Sequence, residues 1–147
     1  MPLDLIMGAD LVAPLRAWAE ERLGLAPGRL PPDAVPMGVV DDDGQIVAVI
    51  TASCFMNGAC TLDTASNGSR RWADRGILKL VGAYVFLHRG CRRMTTLTAV
   101  SNHPAQIAAL RAGFQFEARL RGGYFTGEDA ILFGMRREEC TWLEGGH

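Results

Sequence analysis

Arg70-Arg71-Trp72-Ala73-Asp74-Arg75-Gly76 packs three arginines into seven positions immediately before an apolar helical pattern. A helix start carries backbone N–H groups without intrahelical partners, and they point the same way as the positive end of the helix dipole. An arginine-rich approach to such a start is suited to holding a phosphate-like anion. The distribution of charge agrees. Residues 1–69 hold three arginines against nine carboxylates, whereas residues 70–121 hold nine arginines and Lys79 against Asp74 and Glu117. The net charge of −1 hides this partition. An anionic ligand at the basic middle is one reading, and a solvated arginine face is the other.

The remaining chemistry-bearing residues suggest fewer reactions. Cys54, Cys60, Cys91 and Cys140 are scattered without a C-x-x-C pair, and His88, His103 and His147 do not complete a zinc set. Reduced thiols in a cytoplasmic protein, with no resident metal, are the expectation. Asp41-Asp42-Asp43-Gly44 lacks calcium-loop spacing and reads as a polar hairpin turn. Asp4 and Asp10 stand where a secretion signal wants positive charge and an unbroken apolar core. The longest charge-free run, Gly44–Leu62, is interrupted by the turn signal Asn57-Gly58, so no membrane span is expected.

The elements that must position these groups follow from periodicity. The length of 147 residues suits one domain, residues 1–147, with a proper core. Leu3–Met7 is a short first strand. Asp10 is placed to cap a helix over residues 11–23, with Leu11, Leu15 and Trp18 as its apolar stripe and Gly24 as its end. Residues 25–36, with four prolines, form a loop on the substrate side. A meander follows: Met37–Val40, Gln45–Cys54 and Ala59–Ala65, joined by DDDG and Asn57-Gly58. A helix then runs from the arginine loop to about Arg89, and Gly90 ends it. Cys91–Val100 is a strand, Asn102 or His103 caps a short helix that starts at Pro104, and Gly113 stops it. Phe114–Arg121 and Ala130–Arg136 complete the sheet, with Trp142 and Leu143 docking back. The helix between 59–65 and 91–100 is a crossover, so those strands should lie parallel. The fold expected is α/β (α+β): a mixed, mostly antiparallel sheet of six to seven strands with helices on both faces.

This order resembles the GNAT superfamily of N-acyltransferases over nearly the whole chain, most strongly over residues 59–139. The family's pyrophosphate loop reads Q/R-x-x-G-x-G/A. Counting back from Gly90 places Arg70 at its first position, Ala73 at its first small residue and Arg75, a departure, at its second. Asn102-x-x-Ala105, followed after seven residues by Gly113-Phe114, matches a second family pattern. The ending R-x-R-x(7)-D-A-x-x-x-G-M-R-R-E-E over residues 119–139 looks like the C-terminal hairpin of small members, including enzymes that acetylate protein N-termini and some encoded by phages.

The resemblance implies transfer of an acetyl or short acyl group from acetyl-CoA, as co-substrate, to an amine acceptor, either a small molecule or a protein amine. It implies that strands 59–65 and 91–100 splay around the pantetheine arm and that the pyrophosphate sits over Arg71, Trp72, Ala73, Asp74, Arg75 and Gly76, with Arg70 beside it. Backbone N–H near Ala65 would polarise the thioester carbonyl. Asn102, with Ala105, would hold the pantetheine, or Asn102 would simply cap its helix. Asp63 is the first choice for general base, ahead of Glu117 and His103, and an ion pair with an arginine is its bland alternative. The position where many members carry an acidic tyrosine is Ala109 here, which leaves Tyr124 as the acid; Tyr84 reads as core. Cys60 and Cys91 read as core residues rather than nucleophiles. A non-catalytic CoA- or partner-binding scaffold is the second reading. A phage-type nucleic-acid-modifying protein is the third, against which only Trp72 and Tyr124 are placed for base stacking. No membrane partner is expected, and a homodimer is left open.

Overall fold

The computed structural model describes residues 2–68 and 71–143. Seven strands form one sheet: β1 (Asp4–Ile6), β2 (Val35–Val40), β3 (Ile46–Met56), β4 (Ala59–Ser66), β5 (Arg93–Ala99), β6 (Gln115–Leu120) and β7 (Ala130–Arg136), in spatial order β1-β2-β3-β4-β5-β7-β6. Every neighbouring pair is antiparallel except β4 and β5. The parallel pair is the one joined by the crossover helix, as the topology requires. The mixed sheet with its central parallel pair is thus the one expected from the sequence.

Helix α1 (Val12–Leu23) packs on one face, where Leu15 and Ala19 meet Val49, Ala65, Leu30 and Ala34. On the opposite face lie α2 (Arg75–Gly82) and α3 (His103–Ala112). There Ile77, Val81, Val85, Phe86 and Ala109 pack on Met37, Ile50, Leu62 and Met94. The period-2 alternation of β3 and β4 divides the side chains between these cores. Val49 and Ala65 go under α1, whereas Ile50 and Leu62 go under α2. Beyond α2 the chain keeps coiling as a π-helical segment, Ala83–His88. Trp142 docks back, buried edge-on against Phe114 with centroids 5.9 Å apart, and its Nε1 donates to the Ala112 carbonyl at 2.7 Å.

Two local readings are corrected. Asp10 does not cap α1. It lies within a single 3-10 turn, Ala9–Leu11, and α1 begins after Leu11 with no side-chain cap. Strand β2 takes in Val35 and Pro36, assigned to the loop from sequence. Pro36 is tolerated because β1 flanks only residues 38–40 of that strand, leaving its edge open beside the proline. The DDDG turn holds as expected: the Asp41 carboxylate accepts from the N–H of Asp43 and Gln45 at 2.9 and 3.0 Å. Asn57 and Gly58 both take positive φ, 55° and 74°, in the tight turn from β3 to β4.

The loop between α1 and β2 is pinned at both ends. Glu20, buried in α1, accepts from the N–H of Leu30 at 3.0 Å, and Arg16 donates to the carbonyls of Leu30 and Pro31, both at 2.7 Å. Farther along, the Asp33 carboxylate accepts from the N–H of Cys54 and Phe55 at 2.9 and 2.8 Å. That clamp falls where β3 bulges and Cys54 takes a φ of 55°. A proline-rich loop thus becomes a fixed roof over the α1 face of β3.

Candidate active site

The parallel ladder between β4 and β5 runs only from Ala59↔Arg93 to Leu62↔Thr96. Past that point β4 stays paired with β3 as far as Ser66, and β5 stays paired with β7 as far as Ala99. Each strand keeps its outer partner and leaves its inner one. The end of β5 is held on its own side by α3: Gln106 Nε2 donates to the carbonyls of Ala99 and Val100 at 3.2 and 2.9 Å. Strand parity tells which backbone groups face the opening. The Asn67 N–H donates to the Val47 carbonyl, so odd-numbered residues of β4 bond to β3 and even-numbered ones turn the other way. Thr64 and Ser66 therefore present their N–H and C=O groups to the gap. Ala65, expected in that role, turns its own N–H towards β3.

On the α2/α3 face the gap opens into a cavity of about 730 Å³, walled by Thr64 and Ser66 of β4 and by Thr96, Leu97 and Thr98 of β5. The space exists because α3 turns alanines inward. Ala105, Ala108, Ala109 and Ala112 recur at helical spacing, and all four line the cavity. Trp72, Ala73 and Arg75 border it at the start of α2, and Arg111 borders it from α3. Asn102, Ala105 and Tyr124 also reach it. Half of the sequence-chosen ligand residues, Trp72, Ala73, Arg75, Asn102 and Ala105, are thus brought to one cavity.

The others behave differently from expectation or lie elsewhere. Arg70 lies outside the described residues. Arg71 forms one 3-10 turn with Trp72 and Ala73. Asp74 is the N-cap of α2, its Oδ1 accepting from the Ile77 N–H at 3.0 Å. Its carboxylate thus occupies a helix-start donor expected for a phosphate, and it adds negative charge there. Gly76 lies in the first turn beside that carboxylate, where an added Cβ would come within 3.1 Å of Asp74 Oδ1, and it is not part of the cavity wall. Asn102 caps α3, its Oδ1 accepting from the Ala105 N–H at 3.2 Å, while remaining at the cavity edge.

Asp63 lies on the other face of β4, sharing parity with Ala65 under α1. Burial pushes its carboxyl up to about 6, and no cation among the described residues offsets that burial. Tyr124 approaches from the segment between β6 and β7. Its phenol is raised above the usual range, first by burial and then by the carboxylates of Asp63 and Glu128. Tyr124, chosen as the acid, therefore senses the charge of Asp63, chosen as the base. The other candidates are engaged or remote. Glu117 is ion-paired to Arg93 at 2.5 Å, and His103 is exposed at the start of α3. Cys60 is buried, with its thiol pushed up to about 12, which leaves it un-ionised at neutral pH. Sequence reasoning missed Arg111 and the alanine face of α3, although the spacing of Ala105, Ala108, Ala109 and Ala112 was there to be read.

A mixed sheet that parts its parallel pair beside a basic cavity defines the chain as an α/β protein. The sequence matches no protein-family model and no curated protein sequence. Solved structures do match. A variant of the spermidine N-acetyltransferase SpeG from Vibrio cholerae superposes with a TM-score of 0.70 over 99% of this chain and 98% of its own, at 12% identity. A GCN5-related N-acetyltransferase from Brucella melitensis gives 0.67 at 25% identity, covering 76% of this chain and 55% of its own. A dodecameric structure of the Vibrio cholerae spermidine enzyme gives 0.62 at 14% identity, over 79% of this chain and 71% of its own. The chain has the fold of the GNAT superfamily of N-acetyltransferases. No helix among the described residues is long and apolar enough to cross a membrane.

Proposed function

We propose that the protein is an acyl-CoA-dependent N-acyltransferase, moving an acetyl or short acyl group to an amine. The observation that supports this reading is the parting of β4 from β5 beside the basic cavity, where the edge of β4 offers the backbone groups of Thr64 and Ser66. In this scheme the acyl-CoA enters from the α2/α3 face, with its phosphates near Arg75 and Arg111 and its thioester between β4 and β5. The thioester carbonyl oxygen receives an N–H bond from the β4 edge. Asp63 takes a proton from the amine, directly or through water, as the nitrogen attacks the carbonyl carbon. The C–S bond then breaks and the thiolate takes its proton from Tyr124. Products are an amide and a free thiol, and the tyrosine regains its proton from solvent.

Calorimetric titration with acetyl-CoA, followed by thiol release on an amine panel, tests the proposal. Micromolar binding that weakens in Arg70→Glu, with amine-dependent thiol release, supports it. Absence of acetyl-CoA binding by the unsubstituted protein would sink it. Binding without thiol release on any amine would favour the second reading, a CoA-binding scaffold without turnover. The carboxylate of Asp74 at the phosphate end is the feature that favours that second reading.

A further inference from the structure

The cavity on the α2/α3 face has two kinds of wall. At the parted strands it carries the hydroxyls of Thr64, Ser66, Thr96 and Thr98. Elsewhere it is lined by side chains of the core itself. Ile50, Leu62, Val81, Ala109, Phe114 and Trp142 all border the cavity, and all are buried members of the hydrophobic cluster on that face.

This apolar hollow is left open by α3. A helix that covers a sheet ordinarily turns its larger apolar residues onto it. Here the residue of α3 that is buried is Ala109, and Ala105, Ala108 and Ala112 join it on the cavity wall. The larger Ile107 and Leu110 of the same helix are exposed instead. Core atoms that face a hollow forgo the dispersion contacts that close packing would give them, and an apolar occupant restores those contacts.

A second observation places the polar end of that occupant. Thr98 is 7% exposed, and its hydroxyl has no hydrogen-bond partner among the described residues. It stands on the cavity wall two residues beyond Thr96, the last β5 residue in the parallel ladder. A buried hydroxyl without a partner is disfavoured, and a polar ligand atom held at the gap would relieve it. A polar head at the gap and a hydrocarbon body in the hollow is the shape of a fatty thioester. An acetyl group would offer the hollow a single methyl.

Resting on the acyltransferase reading, we infer that the hollow under α3 is an acyl-chain subsite, which selects a straight, saturated acyl group longer than acetyl on the CoA thioester, with Ala109 setting its depth. The thioester stays at the gap with the Thr98 hydroxyl beside it. The chain turns back under α3 and lies against Val81, Phe114 and Trp142.

The test uses the full chain and calorimetry with acetyl-CoA, butyryl-CoA and hexanoyl-CoA, so it needs no acceptor. From acetyl to hexanoyl, affinity should rise about two- to fourfold for each methylene, as burial of hydrocarbon requires. Ala109→Leu fills the hollow. It should weaken hexanoyl-CoA binding at least about tenfold and leave acetyl-CoA within about twofold. Ala112→Leu makes the same test at a less buried position of the same helix face, should a thermal melt show that Ala109→Leu does not fold. Hexanoyl-CoA should also change the tryptophan emission beyond any change with acetyl-CoA, and Trp142→Phe should remove that difference. Equal affinity for acetyl-CoA and hexanoyl-CoA would overturn the inference. So would a chain-length preference that survives the leucine variants, because the chain would then lie outside the hollow. Both results leave acyl transfer intact, since acetyl-CoA still binds. If none of the three thioesters binds, the acyltransferase reading itself fails and the subsite falls with it.

Discussion

The α2/α3 face and the α1 face of the sheet meet at the same opening between β4 and β5, yet they are furnished with opposite charge. The cavity side is bordered by Arg75 and Arg111 and by the start of α2. The other side presents Asp63, with no cation partner among the described residues, beside Thr51 and Ser53, whose hydroxyls have no hydrogen-bond partner among the described residues. The acid–base partition visible along the sequence is carried partly across the sheet, because the basic middle of the chain supplies Arg75 and Arg111 to the cavity while Asp63 of the acidic half turns to the α1 side. The difference teaches what each face is shaped to receive. On the proposed acyl transfer, a polyanionic reagent would suit one side and a cationic one the other.

Substituting Asp63 should break this comparison most severely. Asp63→Asn removes the negative end of the arrangement while leaving the shape, so kcat/KM for the amine should fall by about 10²–10⁴, with acetyl-CoA affinity unchanged by calorimetry. The base acts ionised, so the unsubstituted protein should gain activity as pH rises through about 6 and then level off, and the variant should lose that limb. Stability should move the opposite way. A folded-state pKa raised to about 6 means that the native state holds this proton more tightly than the unfolded chain. Its stabilising contribution is present below the ordinary carboxylate range and is lost as pH rises through about 6. Denaturant melts should therefore show Asp63→Asn more stable by roughly 1–3 kcal/mol at pH 8, with no gain near pH 3.5.

The positive side should respond in a separate observable. The double variant Arg75→Glu/Arg111→Glu should weaken acetyl-CoA binding about 10–100-fold and flatten its salt dependence, leaving the amine KM within about twofold. A joint loss on both reagents would mean that the two faces are not electrostatically separate. Tyr124 bridges them, lining the cavity while sensing Asp63. Tyr124→Phe should lower kcat about tenfold or less, since water can protonate a thiolate leaving group, and should alter neither binding constant.

Most of the scaffold was legible because its signals are local. Alternation in 46–56, the Asn57-Gly58 turn, Gly90, Asn102 and Gly113 each act within a few residues, and the crossover rule then made β4 and β5 parallel. Asp63 and Tyr124 are proposed as base and acid only through a resemblance, since nothing local distinguishes that aspartate from the other carboxylates of the acidic half. Thr98 was not legible at all. Threonine is ordinary in a strand, and this one acquires meaning only from a ladder that ends at Thr96 and leaves its hydroxyl on the cavity wall. Glu20 was unread for a similar reason: its partner is the N–H of Leu30, across a proline-rich loop whose path no periodicity fixes. Asp74 failed in the opposite sense. An aspartate just before an apolar run is a local cap signal, and the motif register overrode it.

Asp74 is also the one feature that contradicts the charge division, since it places a carboxylate on the basic face. Its Oδ1 bond to the Ile77 N–H gives the helix start a partner already, and its charge repels a phosphate approaching the same donors. Asn and Asp cap helices about equally well, so Asp74→Asn keeps the bond geometry and removes only the charge. A charge at a helix N-terminus is worth about 0.3–1 kcal/mol, so acetyl-CoA should bind the variant about two- to fivefold more tightly by calorimetry, with stability lowered by less than about 1 kcal/mol. Tighter binding would show that the α2 start faces the anion and that Asp74 holds its affinity down. Weaker binding would mean that the carboxylate orders the loop the ligand needs, and that the anion is held chiefly by Arg75, Arg111 and the neutral, Asn102-capped start of α3.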